Sequence, residues 1–167
     1  MGAMIVLIAL LGVFPVQNAS PQGVERGVHK QGTLELMNNG AVDIDEGRAW
    51  TTHCVDCRFQ PEPKTKFAGA DFWFQVVLGK REYLHPENGA MLASADNKGA
   101  GYSGCAAAAY SAKKLRLDTF PAGAAICVRT DAGRYAEIRV ESFDAKTTRL
   151  SLTYITWEKE GEGKSPG

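Results

Sequence analysis

The chain has 167 residues, of which 44% are hydrophobic and 23% are charged, so we expect a single domain with a sizeable core. Lysine plus arginine and aspartate plus glutamate number 19 each, which gives a formal net charge of zero. A neutral chain creates no overall field that attracts nucleic acid or an acidic polymer, so no nucleic-acid partner is expected.

The first residues are typical of an export signal. An unbroken apolar run extends from Met4 to Phe14, and the small-residue segment "VQNAS" follows it. The run is shorter than the roughly 20 residues that a transmembrane helix needs. We therefore predict a signal peptide over 1–19, a secreted or periplasmic location, and no transmembrane segment in the mature chain. An uncleaved membrane anchor is the alternative.

Apolar and polar residues alternate through the rest of the chain. In "AVDID", Val42 and Ile44 are predicted to point inward, and Asp43 and Asp45 outward. The same period of two recurs in the segments "TLEL", "DFWFQVVLG", "KLRLD", "AAICVRT", "RYAEIRVESF" and "RLSLTYITW". Strict alternation is typical of strands that have one buried face and one solvent-exposed face.

Turn sequences separate these strands and define the fold class. The segments "NNG", "TDAG" and "DAKT" have the length and composition of hairpin turns. Short strands joined by tight turns predict an all-β fold, an antiparallel β-sandwich or barrel with one short helical turn. We expect this single β domain over 33–158, after a polar lead segment over 20–32 and before a disordered tail over 159–167.

The C-terminal hairpin gives the sharpest prediction of register. Its two strands alternate in phase around "DAKT", which places four apolar side chains on one core face: Ile138, Val140, Leu150 and Leu152. Glu137 falls on the opposite face, which the pattern predicts to be wet. Substituting Ile138 should therefore be costly, whereas substituting Glu137 should change stability little.

The segment "GAGYSGC", which starts at Gly99, matches the dinucleotide-binding pattern G-x-G-x-x-G. Asp118 follows at about the 20-residue distance of the acid that binds a ribose in such sites. The residues directly before Gly99 are "DNK", however, where the motif needs a buried apolar strand. The following strand "KLRLD" also alternates, unlike a central parallel strand. We therefore predict a glycine loop that leads into a helical turn, and no nucleotide cofactor.

Four cysteines are present, at Cys54, Cys57, Cys105 and Cys127. An even number in an exported chain predicts two disulfides, for which three connectivities exist. The pairing of Cys54 with Cys57 and of Cys105 with Cys127 is favoured.

The segment "HCVDC" also allows a zinc centre, with the ligands His53, Cys54, Cys57 and His85. A single C-x-x-C supplies only half of a typical zinc site, so we predict no metal and keep zinc as the alternative. Redox chemistry is disfavoured because "RFQPEPK" follows the motif, and its two prolines prevent a long helix.

Two further patterns bear on ligand binding. The segment "DIDEG" from Asp43 to Gly47 resembles the start of a calcium-binding loop, but Cys54 stands where the closing acid belongs, so a strand face and a turn are predicted. Three aromatic residues lie on the faces opposite the buried aliphatic rows, where they can stack on sugars or anchor a protein: Trp73, Tyr135 and Trp157. The alternative is that such aromatic residues, Trp73 in particular, belong to a core.

The segments "GYSGCAAAAYS", "LRLDTFPAGAAICVRTDAGRYAEIRV" and "LTYITW" together resemble a recurring extracellular β-domain of bacterial proteins that has no assigned activity. The resemblance covers about 34–157. It implies a secreted β fold and the pairing of Cys105 with Cys127, and it supplies no catalytic residues.

These observations favour a secreted or periplasmic, non-catalytic binding module without a cofactor. Its expected ligand is a glycan, an envelope polymer or a protein. The first alternative is a small metal-dependent or hydrolytic enzyme centred on His53, Cys54, Cys57 and His85. The second alternative is a structural component of the cell envelope.

Overall fold

The computed structural model describes residues 26–51, 67–77, 81–95, 100–121 and 123–162. The predicted signal peptide lies outside these residues, and so does the segment that carries His53, Cys54 and Cys57. None of the helices among the described residues is long and apolar enough to cross a bilayer.

The described residues form ten strands and one short α-helix. In chain order they are β1 (Val28–Met37), β2 (Ala41–Asp43), β3 (Arg48–Trp50), β4 (Phe72–Val77), β5 (Arg81–Pro86), β6 (Met91–Ser94), α1 (Gly101–Ala106), β7 (Leu115–Arg116), β8 (Ala125–Arg129), β9 (Tyr135–Asp144) and β10 (Arg149–Trp157). The first sheet has the order β1-β10-β9-β8-β6, and the second has the order β3-β2-β4-β5-β7. All strand pairs are antiparallel. The predicted all-β fold with one short helix is therefore confirmed.

The inner faces of the two sheets enclose one hydrophobic core. Its largest fully buried side chains come from alternate positions of both sheets: Leu36, Val42, Ile44, Phe72, Phe74, Leu84, Ile126, Val128, Ile138, Leu150 and Leu152. Alternate side chains of a strand point to opposite faces, so the period of two in the sequence correctly identified this inner face.

The hairpin of β9 and β10 has the predicted core face. Ile138 lies opposite Tyr154, and Val140 lies opposite Leu152. A bulge between Ser151 and Leu152 shifts the register by one residue. Leu152 is fully buried, whereas Val140 is only partly buried at the edge of the core.

Two segment boundaries differ from the sequence pattern. β1 begins at Val28, so strand pairing starts within the segment predicted as a polar lead. The strand predicted over "KLRLD" contains only Leu115–Arg116, and a 3₁₀ turn over Leu117–Thr119 follows it. The hydroxyl of Thr119 donates to the carbonyl of Arg116 at 2.9 Å, which offers the backbone an alternative to the sheet.

Helix α1 packs on the outer face of the first sheet. A disulfide joins its Cys105 to Cys127 of β8, which confirms this predicted pairing. Glu137 of β9 lies beneath the start of the helix, where its Oε2 accepts hydrogen bonds from the backbone N–H groups of Ala100 (2.8 Å) and Gly101 (2.9 Å). The prediction that Glu137 faces water is therefore wrong, because the helix covers it.

The strand pairing and the contact with Glu137 both differ from what a dinucleotide-binding turn at the glycine segment would need. The strand before the glycines, β6, pairs antiparallel with β8, whereas a dinucleotide-binding turn belongs to a parallel sheet. The N–H groups that would face a phosphate in such a turn donate to Glu137. Gly101 has a φ of +57°, a left-handed backbone conformation that glycine adopts without steric cost, so its presence needs no bound phosphate as an explanation.

Candidate functional site

A row of three rings runs across the outer face of the second sheet. We call Trp73, His85 and Tyr83 the aromatic row. Trp73 and His85 are paired residues of β4 and β5, and their rings stack with centroids 4.0 Å apart. Tyr83 lies two residues before His85 on the same face and meets its ring edge-on at 6.1 Å. The antiparallel register therefore aligns the three rings.

Exposure differs along the aromatic row. Trp73 is only 3% exposed, and its indole Nε1 donates to Glu87 Oε1 at 3.1 Å. His85 and Tyr83 are half-buried and keep part of their rings at the surface. Lys114 places its ammonium 4.4 Å from the ring centroid of Tyr83. The accessible end of the row therefore combines an aromatic ring with a positive charge.

His85 is held as a neutral ring. Burial, and to a lesser degree the charge of Lys114, lower its pKa from the usual 6.5 to about 4. Its Nε2 lies 3.0 Å from Gln75 Oε1, in hydrogen-bonding contact. At neutral pH the half-buried imidazole of His85 is therefore uncharged, and it contributes a planar polar ring to this face.

This low pKa predicts a loss of stability in acid. Below pH 6.5 the unfolded chain binds a proton at His85 that the folded chain does not bind until about pH 4, so acidification favours unfolding. Because the ring is partly solvated, we expect the effect to be about 1–2 kcal/mol. Urea unfolding of the wild type and of His85→Gln between pH 7 and pH 4 measures it. Parallel pH profiles for the two proteins would contradict this expectation.

The other two predicted ligand residues lie on the first sheet, beneath α1. Trp157 is only 7% exposed, and Tyr135 is half-buried. Tyr102 of the helix makes edge contacts with both rings, and Tyr110 stacks on Tyr135 with centroids 6.0 Å apart. These aromatic residues are on the outer face, as predicted, but the helix covers much of it.

Of the alternative zinc centre, the structure describes one position only, His85. His53, Cys54 and Cys57 lie outside the described residues, so the disulfide between the two cysteines stays a prediction and metal ligation stays the alternative to it. His85 has its ring face on Trp73 and one nitrogen beside Gln75.

The structure also brings together three carboxylates that the sequence does not show as a group. Asp43 and Asp45 were predicted on a wet face, but they are only 7% and 5% exposed, and this prediction is wrong. Asp71, which precedes β4, covers them and is itself fully buried. Among the described residues, these three offer oxygen atoms within 4.8 Å of one another. The alternation in β2 correctly predicted that Asp43 lies on the outer face, but it did not predict that Asp71 buries this face.

Sequence reasoning missed Tyr83 and Asp71. The alternation in "REYLHP" places Tyr83 on the face of His85, so a signal for the first was present. Asp71 meets the 43–45 segment only through the pairing of β2 with β4, and no local spacing announces that contact.

Comparison with known proteins adds no assignment, because no family model, curated protein or solved structure gives a significant match to the chain.

Proposed function

We propose that the chain is an extracytoplasmic, non-catalytic binding module whose ligand is a glycan of the cell envelope. The observation that carries the proposal is the aromatic row, in which Tyr83 and His85 are half-buried on the outer face of the second sheet. Sugars offer flat apolar faces and many hydroxyl groups. A tyrosine ring and a neutral imidazole present a complementary apolar surface and polar edges.

The environment of the row supports binding more than turnover. His85 is stacked on Trp73 and contacts Gln75, which positions the ring and leaves it neutral. A fixed neutral ring is suited to contact a ligand at constant geometry. Lys114 beside Tyr83 adds affinity for an acidic or phosphorylated polymer.

Two observations support the location. The disulfide between Cys105 and Cys127 is of a kind that persists in oxidising compartments. The apolar run Met4–Phe14 has the length of an export signal. The resemblance to a recurring extracellular bacterial β-domain agrees with both.

The test is a binding screen in which the protein, purified after export, is applied to a glycan array and to isolated envelope polysaccharides. Removing the ring with Tyr83→Ala should weaken binding at least about tenfold, because a central aromatic contact is lost. Tyr83→Phe keeps the ring and should retain most of the affinity. Tyr102→Ala, on the opposite side of the molecule, is the matched control.

The outcome also separates the alternatives. Binding that survives Tyr83→Ala but is lost in Tyr102→Ala would place the ligand on the first sheet. Stoichiometric zinc in the purified chain would instead favour an enzyme centred on His53, Cys54, Cys57 and His85. The absence of binding to every polymer tested would favour a structural envelope component.

A further inference from the structure

The strongest unassigned feature is the group of three carboxylates, Asp43, Asp45 and Asp71, which we call the acidic cluster. It forms where β2 ends and the chain turns towards β3. Asp43 Oδ1 accepts a hydrogen bond from the backbone N–H of Glu46 at 3.0 Å, and Gly47 closes the turn with a φ of +62°. This turn directs the side chains of Asp43 and Asp45 towards Asp71.

Asp71 is fixed from two directions. Its Oδ2 accepts from the backbone N–H of Ile44 at 2.9 Å, and its Oδ1 accepts from that of Asp131 at 2.8 Å. The first contact belongs to the turn after β2, and the second belongs to the turn between β8 and β9. Each oxygen uses one lone pair in this way and keeps another for a further partner. Asp71 therefore links the two sheets at the cluster.

Asp45 is the least satisfied member of the cluster. Neither of its carboxylate oxygens is accessible to solvent, and neither has a partner with good hydrogen-bond geometry, although the Thr130 hydroxyl interacts with the carboxylate. Among the described residues, its ion-pair partner is Arg134, whose Nη1 lies 3.6 Å from Oδ2. That guanidinium also donates two hydrogen bonds to Glu162, at 3.1 and 2.8 Å. A buried carboxylate without a hydrogen bond is costly and calls for a partner.

The charges around the cluster do not balance. Among the described residues, Arg134 is the one cation at ion-pair distance from the cluster, through Asp45, and Asp131 lies close enough to Asp71 to add further repulsion. Burial raises the pKa of Asp45, and the Thr130 hydroxyl, Arg134 and His29 offset this only in part. Burial raises the pKa of Asp71 to about 7. Such a site attracts a compensating positive charge.

We propose that Asp43, Asp45 and Asp71 bind one Ca²⁺ ion. All the side-chain ligands are carboxylate oxygens, which hard divalent cations prefer. Ligands on opposite sides of Ca²⁺ are about 4.6–5.2 Å apart, since each bond is about 2.3–2.6 Å long, and the cluster oxygens lie within 4.8 Å of one another. Mg²⁺ needs shorter bonds in a stricter octahedron. The ion would fix the β2–β3 turn against Asp71 and, through Asp131, against the first sheet.

The test uses thermal melting and calorimetric titration of the full chain after removal of metal by a chelator. With 10 mM Ca²⁺, and a dissociation constant of about 10⁻⁴–10⁻³ M, typical of extracellular modules, the melting temperature should rise by about 5–10 °C. Titration should show one ion per chain. The same concentration of Mg²⁺ should give a smaller rise.

Asp45→Asn is the diagnostic variant. It removes one negative ligand and the charge that faces Arg134 at 3.6 Å, but Arg134 keeps its two hydrogen bonds to Glu162, so the metal-free protein should stay folded. Its affinity for Ca²⁺ should fall at least about tenfold, and the rise in melting temperature should shrink to about half or less of that of the wild type. Glu46→Gln is the matched control, because this exposed side chain neighbours the cluster in sequence and lies outside it.

Three results would overturn the proposal. The first is a wild type that shows neither saturable heat nor a shift in melting with millimolar Ca²⁺. The second is equal binding by the wild type and Asp45→Asn. The third is tighter binding of Mg²⁺ than of Ca²⁺. Titration of the wild type is decisive even if the variant fails to fold, and every result leaves the glycan proposal for the aromatic row standing.

Discussion

Replacing Cys105 with serine is expected to lower the free energy of unfolding by about 2–5 kcal/mol. The disulfide joins α1 to β8 between two fully buried cysteines that are 22 residues apart in sequence. Its loss frees this loop in the unfolded chain and leaves Cys127 unpaired in the first sheet. The helix should then detach more easily from the face that carries Tyr135 and Trp157.

Urea unfolding with and without reductant measures this effect. Reduction should destabilise the wild type by a similar amount and should change Cys105→Ser little, because the predicted link between Cys54 and Cys57 closes only a short loop. Ser103→Ala, an exposed change within the same helix, is the control and should alter stability by about 0.5 kcal/mol or less. A wild type that is insensitive to complete reduction would show that the link does not contribute to stability.

The inner faces of both sheets could be predicted because alternation in a strand is a direct consequence of backbone geometry. Phe72 and Phe74 are buried in the main core, whereas Trp73 between them belongs to a separate cluster on the other side of the sheet. A period of two specifies which residues share a side. It contains no information on whether a further segment covers that side.

The failures follow from that limit. Asp43 and Glu137 both fall on the outer sides of their strands, yet both are buried. Asp71 and the turn after β2 enclose the first, and α1 encloses the second. Each cover comes from a distant part of the chain, so only the tertiary fold reveals it.

The two candidate sites also differ in how far the sequence predicts them. The neighbourhood of His85 and Tyr83 follows from one strand, and its alignment with Trp73 follows from one strand pair. The acidic cluster needs the pairing of β2 with β4 and the approach of the turn at Asp131 from the other sheet. Sequence spacing could therefore suggest the two acids of "DIDEG" but not the third.

The buried position of Glu137 reverses the expected effect of its substitution. Glu137→Ala should cost about 2–4 kcal/mol, comparable to the roughly 2–5 kcal/mol expected for Ile138→Ala in the core. The change leaves the N–H groups of Ala100 and Gly101 without their acceptor, and it removes the partner of Arg139, whose Nη2 lies 2.7 Å from Glu137 Oε1. Unsatisfied donors in a covered position are costly because water does not fully replace the lost acceptor.

Glu141→Ala is the matched control for this prediction. Glu141 lies on the same strand and accepts a hydrogen bond from the Thr153 hydroxyl at 2.7 Å, but it is exposed, so its loss should cost about 0.5 kcal/mol or less. Urea unfolding of both variants beside Ile138→Ala gives the comparison. Equal, small costs for Glu137→Ala and Glu141→Ala would mean that Glu137 does not hold the start of α1. The N–H groups of Ala100 and Gly101 would then be free to meet an anion, and the glycine segment would again be a candidate for phosphate binding.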